Sequence, residues 1–236
     1  MHPEGVPMPG GHSAPAVRVG DSVRRAAGPW TPRVHDLMRG LRAAGVGVVP
    51  EPRGLDADGR EVVAYVAGDC PLYPLPPWVW SDGVLRQVGM TLRAVHDAAA
   101  ALALPLDGWR DDPVEPAETV CHGDVAPYNT VWHDGRLVAL IDWDRAVPAP
   151  RAFDLGYAAY RFVSLTPPGH PDGREATPGE QRRRVSALCD AYGGADPAEV
   201  IRWAALRVER LANGDGPHRA LYASHLPWVR SLQRRD

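Results

Sequence analysis

The sequence predicts an α+β chain whose strands gather toward the amino terminus and whose helices dominate the rest. Three observations predict this. Short apolar runs bracket glycine-centred turns at Gly20-Asp21 and Asp58-Gly59, the mark of antiparallel hairpins. Apolar residues then recur at helical spacing, from Thr31 to Gly45 and again from Ser81 onward. Between the helical stretches stands one further hairpin, Asn129 to Ile141, around an Asp134-Gly135 turn. At 236 residues the chain can bury a sizeable core and lies between one large domain and two small ones.

Met1 to Pro15 is rich in proline and glycine and is expected to form a leader rather than a complete first strand. Within it, the adjacent glycines of Gly10-Gly11-His12-Ser13 suit either backbone amides approaching a phosphate or an ordinary leader. Ala16 to Val19 and Asp21 to Arg25 form the first hairpin; alternation puts Ser22 and Arg24 on one face and Val23 and Arg25 on the other. Thr31 caps a helix with Pro32 at its first position, running through Val34, Leu37, Met38 and Leu41. Val48 to Leu55 and Arg60 to Gly68 are the next strand pair. Ser81 or Asp82 caps a long helix through Leu85, Val88, Leu92, Val95 and Ala99, with His96 as a packed core histidine. Further helices are expected at Glu180 to Tyr192, Pro197 to Leu211 and Pro217 to Leu232.

The residues that carry chemistry are His122-Gly123-Asp124-Val125-Ala126-Pro127-Tyr128-Asn129 and Ile141-Asp142-Trp143-Asp144. Pro127 keeps the first segment out of a helix, so Asp124 and Asn129 turn into one cleft. The hairpin that follows returns Asp142 beside Asn129. Phosphoryl transfer needs this kind of set: a carboxylate beside an acceptor hydroxyl, and hard oxygen ligands holding magnesium on nucleotide phosphates. His122 is expected to shape the loop through a hydrogen bond, because Asp124 already supplies a base.

The pattern His-x-Asp-x-x-x-x-Asn, then a hairpin, then Ile-Asp resembles the aminoglycoside phosphotransferase and choline kinase branch of the protein-kinase-like fold, and it extends from about Val17 to Tyr192. Asp154-Leu155 resembles that family's next structural aspartate. The resemblance implies a two-lobed protein-kinase-like fold, a small antiparallel-sheet amino-terminal lobe followed by a larger, mainly helical one. It divides the chain into a leader (1–15), a reduced nucleotide-binding lobe (16–68) and a helical lobe with the catalytic loop and metal site (69–236).

The implied activity is magnesium-dependent transfer of the γ-phosphate of ATP, with GTP as the other option, to a hydroxyl of a small molecule. Asp124 would take the acceptor's proton, Asn129 and Asp142 would hold magnesium, and Asp144 would support the metal site. Backbone groups near Tyr65, Val66 and Ala67 would bind adenine. All 26 basic residues other than histidine are arginine. The strand lysine that such enzymes set on the phosphates must therefore be replaced, with Arg24 as the expected substitute and Arg25 in reserve. The first helix carries no glutamate; Asp36 is its only acid. These gaps motivate the competing reading, a pseudokinase-like nucleotide-binding or immunity protein with little transfer activity; a nucleotide hydrolase is a weaker third.

Other classes are disfavoured. A net charge of −3 and no long basic run argue against a nucleic-acid partner. No apolar stretch of membrane-spanning length and no signal peptide point to a cytoplasmic protein without a membrane partner. Cys70, Cys121 and Cys189 are scattered and odd in number, against a disulfide framework or a zinc site. The carboxy-terminal third is arginine-rich, including Arg182-Arg183-Arg184, and such a lining would not suit a polycationic aminoglycoside; the same run also suits a solvated face. Trp78, Trp80 and Trp109 are candidates to stack on an acceptor, with core or interface packing as the alternative.

Overall fold

The computed structural model describes residues 5–8, 16–171 and 173–233. Its amino-terminal part is a five-stranded antiparallel sheet of β1 (Val6–Pro7), β2 (Val17–Val19), β3 (Ser22–Arg25), β4 (Pro52–Leu55) and β5 (Glu61–Ala64), in the order β1-β2-β3-β5-β4. The β2–β3 hairpin closes with Val19 opposite Ser22, and Gly20 takes the positive φ of 62° that the turn requires. Residues 6 and 7, expected in the leader, instead pair with Arg18 and Val17. Gly10-Gly11-His12-Ser13 lies outside the described residues. β4 is shorter than expected because Pro50 and Pro52 withhold backbone donors, and its register with β5 shifts between Pro52 and Leu55.

Helix α1 (Thr31–Ala43) packs on this sheet through Val34, Leu37, Met38 and Leu41. Thr31 lies inside the helix and its hydroxyl accepts from the Gly28 N–H (2.9 Å), so it fixes the preceding turn and is not the helix cap. α2 (Asp82–Ala101) is capped by Ser81, whose hydroxyl accepts from the Val84 N–H. Its buried stripe passes from the core of the helical lobe at Leu85, Val88 and Leu92 to that of the sheet lobe at Val95 and Ala99, so one rigid helix joins both packing centres.

The centre of the chain holds two short antiparallel pairs. β6 (Thr119–Cys121) pairs with β9 (Val147–Ala149), which the sequence pattern does not announce, and β7 (Thr130–His133) pairs with β8 (Arg136–Leu140) as expected. Asp134 and Gly135 both have positive φ, 49° and 71°, which suits a tight hairpin with the strands' own twist. α3 (Arg151–Ala158) runs into a π-helical turn, Ala159–Ser164, and α4 (Pro178–Tyr192), α5 (Pro197–Asn213) and α6 (Arg219–Ser231) complete the helical lobe. Thr177 and Asp196 cap α4 and α5, and Gly193 ends α4 with a φ of 106°. Among the described residues no helix is long and apolar enough to cross a membrane.

Candidate active site

The loop that carries Asp124 and Asn129 connects β6 to β7 and is built around a buried carboxylate on α3. Asp154 accepts from the backbone N–H groups of His122 (2.7 Å) and Gly123 (2.9 Å) and meets His96 Nε2 at 3.2 Å. Burial opposes its charge, but His96, His122 and the Gly123 amide outweigh it and hold the carboxyl below its ordinary value. His96 Nδ1 in turn meets the Tyr192 hydroxyl at 3.0 Å, so this histidine orients the carboxylate from the core. Gly123 has a φ of 84°, and a Cβ there would stand 1.9 Å from the Arg145 carbonyl oxygen; only glycine fits.

His122 shapes the loop in the expected way. Its Nε2 donates to the Ile141 carbonyl (2.9 Å) and its Nδ1 accepts from the Asp124 N–H (3.3 Å). The loop and the end of the β7–β8 hairpin are thereby tied together. Asn129 donates through Nδ2 to both the Asp124 carbonyl and Asp124 Oδ2, each at 2.9 Å. Its amide oxygen is the atom left to meet a cation. Asp142, in the left-handed region with φ 63°, turns its half-exposed side chain (49%) back toward the same cleft. Asp124, Asn129, Asp142 and Asp144 all line one cavity of about 840 Å³.

The sheet contributes Arg25, and the expected order of the two arginines is reversed. Arg25 Nη1 pairs with Asp142, Nη2 donates to Asp144 Oδ1 at 2.8 Å, and Nε donates to Glu61. Burial opposes its charge, yet Asp142, Glu61 and Asp144 raise its pKa above the ordinary arginine value. Arg24 points to the other face, with Nη1 3.5 Å from Asp56. The physical reason lies in the pairing of β3 with β5, where Arg25 stands directly opposite Glu61 and Arg24 opposite Val62.

The first helix carries no glutamate, and the buried carboxylate that meets Arg25 comes from the sheet. Glu61 is buried between Arg25 and His35 of α1, whose Nε2 lies 2.9 Å from Glu61 Oε1. Although burial raises its carboxyl, the contacts from His35 and Arg25 leave it below the ordinary value. Asp144, by contrast, is pushed up by burial and by Glu61 and Asp142 against the pull of Arg25. Asp36 faces away, bonded to Arg39 at 3.2 Å.

Tyr65, Val66 and Ala67 follow β5 where the chain leaves the sheet, before Asp69 bridges to Trp132. The Tyr65 N–H is used by the Asp21 carbonyl (2.8 Å), and its ring lies under the Arg18 guanidinium at 3.7 Å. None of the three lines the cavity. Nor do Trp78, Trp80 and Trp109, or the Arg182–Arg184 run, whose buried Arg184 instead bonds Asp82 at 2.7 Å. The cavity extends among α3, the π turn, α5 and α6, lined by Tyr157, Arg161, Arg207 and Tyr222, none of which a local motif marks.

Residues 109–200 match the model of the phosphotransferase enzyme family. A trifolitoxin immunity protein of Rhizobium leguminosarum bv. trifolii is 34% identical over 165 residues, covering 67% of this chain and 62% of that protein. The match therefore spans less than two thirds of that relative. Among solved structures, a choline/ethanolamine kinase family protein from Mesorhizobium loti superposes with a TM-score of 0.63 at 20% identity, covering 96% of this chain and 87% of the other. A spectinomycin phosphotransferase in complex with ADP and spectinomycin gives 0.59 at 12% identity, covering 96% and 91%.

Proposed function

We propose that this chain, whose residues 109–200 match the phosphotransferase enzyme family and whose fold is that of choline kinase-like and aminoglycoside phosphotransferase structures, transfers the γ-phosphate of a nucleotide, ATP before GTP, to a hydroxyl of a small molecule. One observation carries the reading. Asp124, the Asn129 amide oxygen and Asp142 converge on one cavity from a loop and a hairpin end that the buried Asp154 and His122 hold in register.

The donor set suits magnesium, since a carboxylate and an amide oxygen are hard ligands. Asn129 and Asp142 would hold the ion, which when bound offsets charge on the phosphates. Asp124 would receive the acceptor's proton. As the acceptor oxygen bonds to the γ-phosphorus, the bond from that phosphorus to the β,γ-bridging oxygen breaks, and the nucleoside diphosphate leaves with the electron pair. Arg25 takes the role expected of Arg24, reaching the phosphates from β3. The backbone groups of Val66 and Ala67, which bond no other backbone group among the described residues, are the proposed contacts of the base, with Tyr65 beside them. The proposed division of labour is a nucleotide-binding lobe at 16–68 and a helical acceptor lobe at 69–236.

The experiment is a thermal-shift titration of ADP with and without magnesium, on the parent and on Asp142→Asn. Stabilisation that requires magnesium and disappears in the variant supports the assignment; equal stabilisation of both proteins overturns it. The binding or immunity reading is favoured by one observation, that Arg25 already neutralises Asp142 and Asp144. It predicts nucleotide binding with no phosphorylated product from any acceptor.

A further inference from the structure

The part of the cavity beyond Asp124 contains a half-buried cation that no carboxylate among the described residues pairs. Arg161 sits on the π-helical turn Ala159–Ser164, and such turns are frequent at functional sites. Its Nε and Nη2 donate to the Tyr157 hydroxyl at 3.0 and 2.9 Å, and Nη2 also donates to the Tyr222 hydroxyl. The guanidinium lies 5.1 to 5.6 Å from the ring centres of Tyr128, Tyr157, Tyr160 and Tyr222. Among the described residues no carboxylate pairs with it; every partner is a phenol. Burial pushes Tyr128, Tyr157 and Tyr160 above the ordinary phenol value, so these hydroxyls are neutral.

A guanidinium keeps its proton, and aromatic faces stabilise it without supplying a counter-charge. A second one lies close by. Arg207 is also half-buried, stacks on Phe153 at 3.9 Å, donates to the Gly123 carbonyl, and leaves its buried Nε without a partner among the described residues. Both line the cavity that holds Asp124. The link between base and cation is short: Tyr128 donates to Asp124 at 3.2 Å, the Tyr128 and Tyr157 hydroxyls are 3.1 Å apart, and Tyr157 meets Arg161. A molecule with an alcohol at Asp124 thus has Arg161 two hydroxyl groups away.

We propose that the acceptor is an anionic alcohol, whose carboxylate or phosphoryl group docks on Arg161 between Tyr157 and Tyr222 while its hydroxyl meets Asp124. This rests on the phosphotransferase reading and narrows its substrate class. A cationic acceptor meets like charge at the same place.

The test is ligand-observed NMR with four probes, glycerate, glycerol 3-phosphate, glycerol and choline, run with and without saturating magnesium–ADP. The nucleotide keeps the probes out of its own phosphate site. Glycerate or glycerol 3-phosphate should bind, and their ratio reports whether the site takes a carboxylate or a phosphoryl group; glycerol and choline should bind at least tenfold more weakly. Arg161→Gln should lower anion affinity at least tenfold, with Arg161→Lys restoring part of it and Tyr222→Phe, a milder change, lowering it several-fold. Choline binding as tightly as the anions, no anion binding, or a folded Arg161→Gln protein with unchanged affinity overturns the proposal. ADP binding is read separately. Anion binding lost while magnesium–ADP binding persists removes only the substrate class, whereas loss of magnesium–ADP binding by the parent removes the phosphotransferase reading itself.

Discussion

Replacing Arg25 should move metal and nucleotide affinity in opposite directions. Its guanidinium contacts Asp142, Asp144 and Glu61, so Arg25→Met removes a cation that competes with magnesium for Asp142. Two unit charges about 4 Å apart attract by roughly 1 kcal/mol in water and about 4 kcal/mol at an effective dielectric of 20. The 49% exposure of the Asp142 side chain places this pair near the lower figure, so the bare ion should bind roughly fivefold more tightly. Magnesium–ADP loses a charge-assisted phosphate contact of about 1.5 to 3 kcal/mol and should bind about ten- to a hundredfold more weakly. Adenosine, which lacks phosphates, should be unchanged.

The fold must survive the change for this reading to count. Arg25→Met strands the buried Glu61 carboxylate beside His35, and losing one partner of a buried pair costs about 3 to 5 kcal/mol. Pairing it with Glu61→Gln removes the stranded charge. Calorimetric titration of manganese, magnesium–ADP and adenosine into the double variant and into Arg24→Met is the assay. Arg24, against Asp56 on the other face, should alter ADP affinity less than twofold. An Arg24 variant that weakens ADP more than the Arg25 variant, or equal losses for ADP and adenosine, refutes the reasoning.

Asp124→Asn should leave magnesium–ADP affinity within about twofold and lower turnover roughly a hundredfold or more, measured as ADP release with the anionic alcohol that binds best. Gly123→Ala should destabilise the protein by on the order of 3 kcal/mol in urea unfolding, because a Cβ at φ 84° meets the Arg145 carbonyl. Glu61 is held below its ordinary 4.5, so the stability it contributes is present above that value and is lost as the pH falls through the lower folded-state value. Urea unfolding between pH 3 and 7 should show that acid limb in the parent and a shallower one in Glu61→Gln.

The convergence of the proposed metal and base residues on one cavity was legible because it is local. Asp124, Asn129 and Asp142 fall within one loop and one hairpin, and the Asp134-Gly135 turn fixes the register that returns Asp142 to Asn129. The fold class was legible for a similar reason, since hairpin turns and helix caps are written in adjacent residues. Which arginine faces the cleft was not. Alternation separates Arg24 from Arg25, but the choice of face depends on β5 lying beside β3 with Glu61 opposite Arg25, a pairing 36 residues apart in sequence. The missing helix glutamate misled for the same reason, because its counterpart comes from a strand. Arg161, Tyr157, Tyr222 and Arg207 lie on separate elements whose periodicity marks only core packing, and the π turn that presents Arg161 has no sequence signature.

Arg25 also bears on the choice between enzyme and binding protein. It reaches from the sheet to carboxylates of the helical lobe, so it joins the two lobes through charge. Filling the proposed metal site requires Asp142 to exchange a guanidinium for a divalent ion, while the guanidinium exchanges carboxylates for phosphate oxygens. Each group ends with a partner of the same sign as before, and the desolvation already met by burying Arg25 is not paid twice. A scaffold that held its lobes shut through this ion pair would have no use for Asp124, which takes no part in it and bonds Tyr128 and Asn129 at the mouth of the acceptor cavity. The carboxylate unrelated to closure is the one proposed to receive a proton, and it is linked through Tyr128 and Tyr157 to Arg161, which no carboxylate among the described residues pairs.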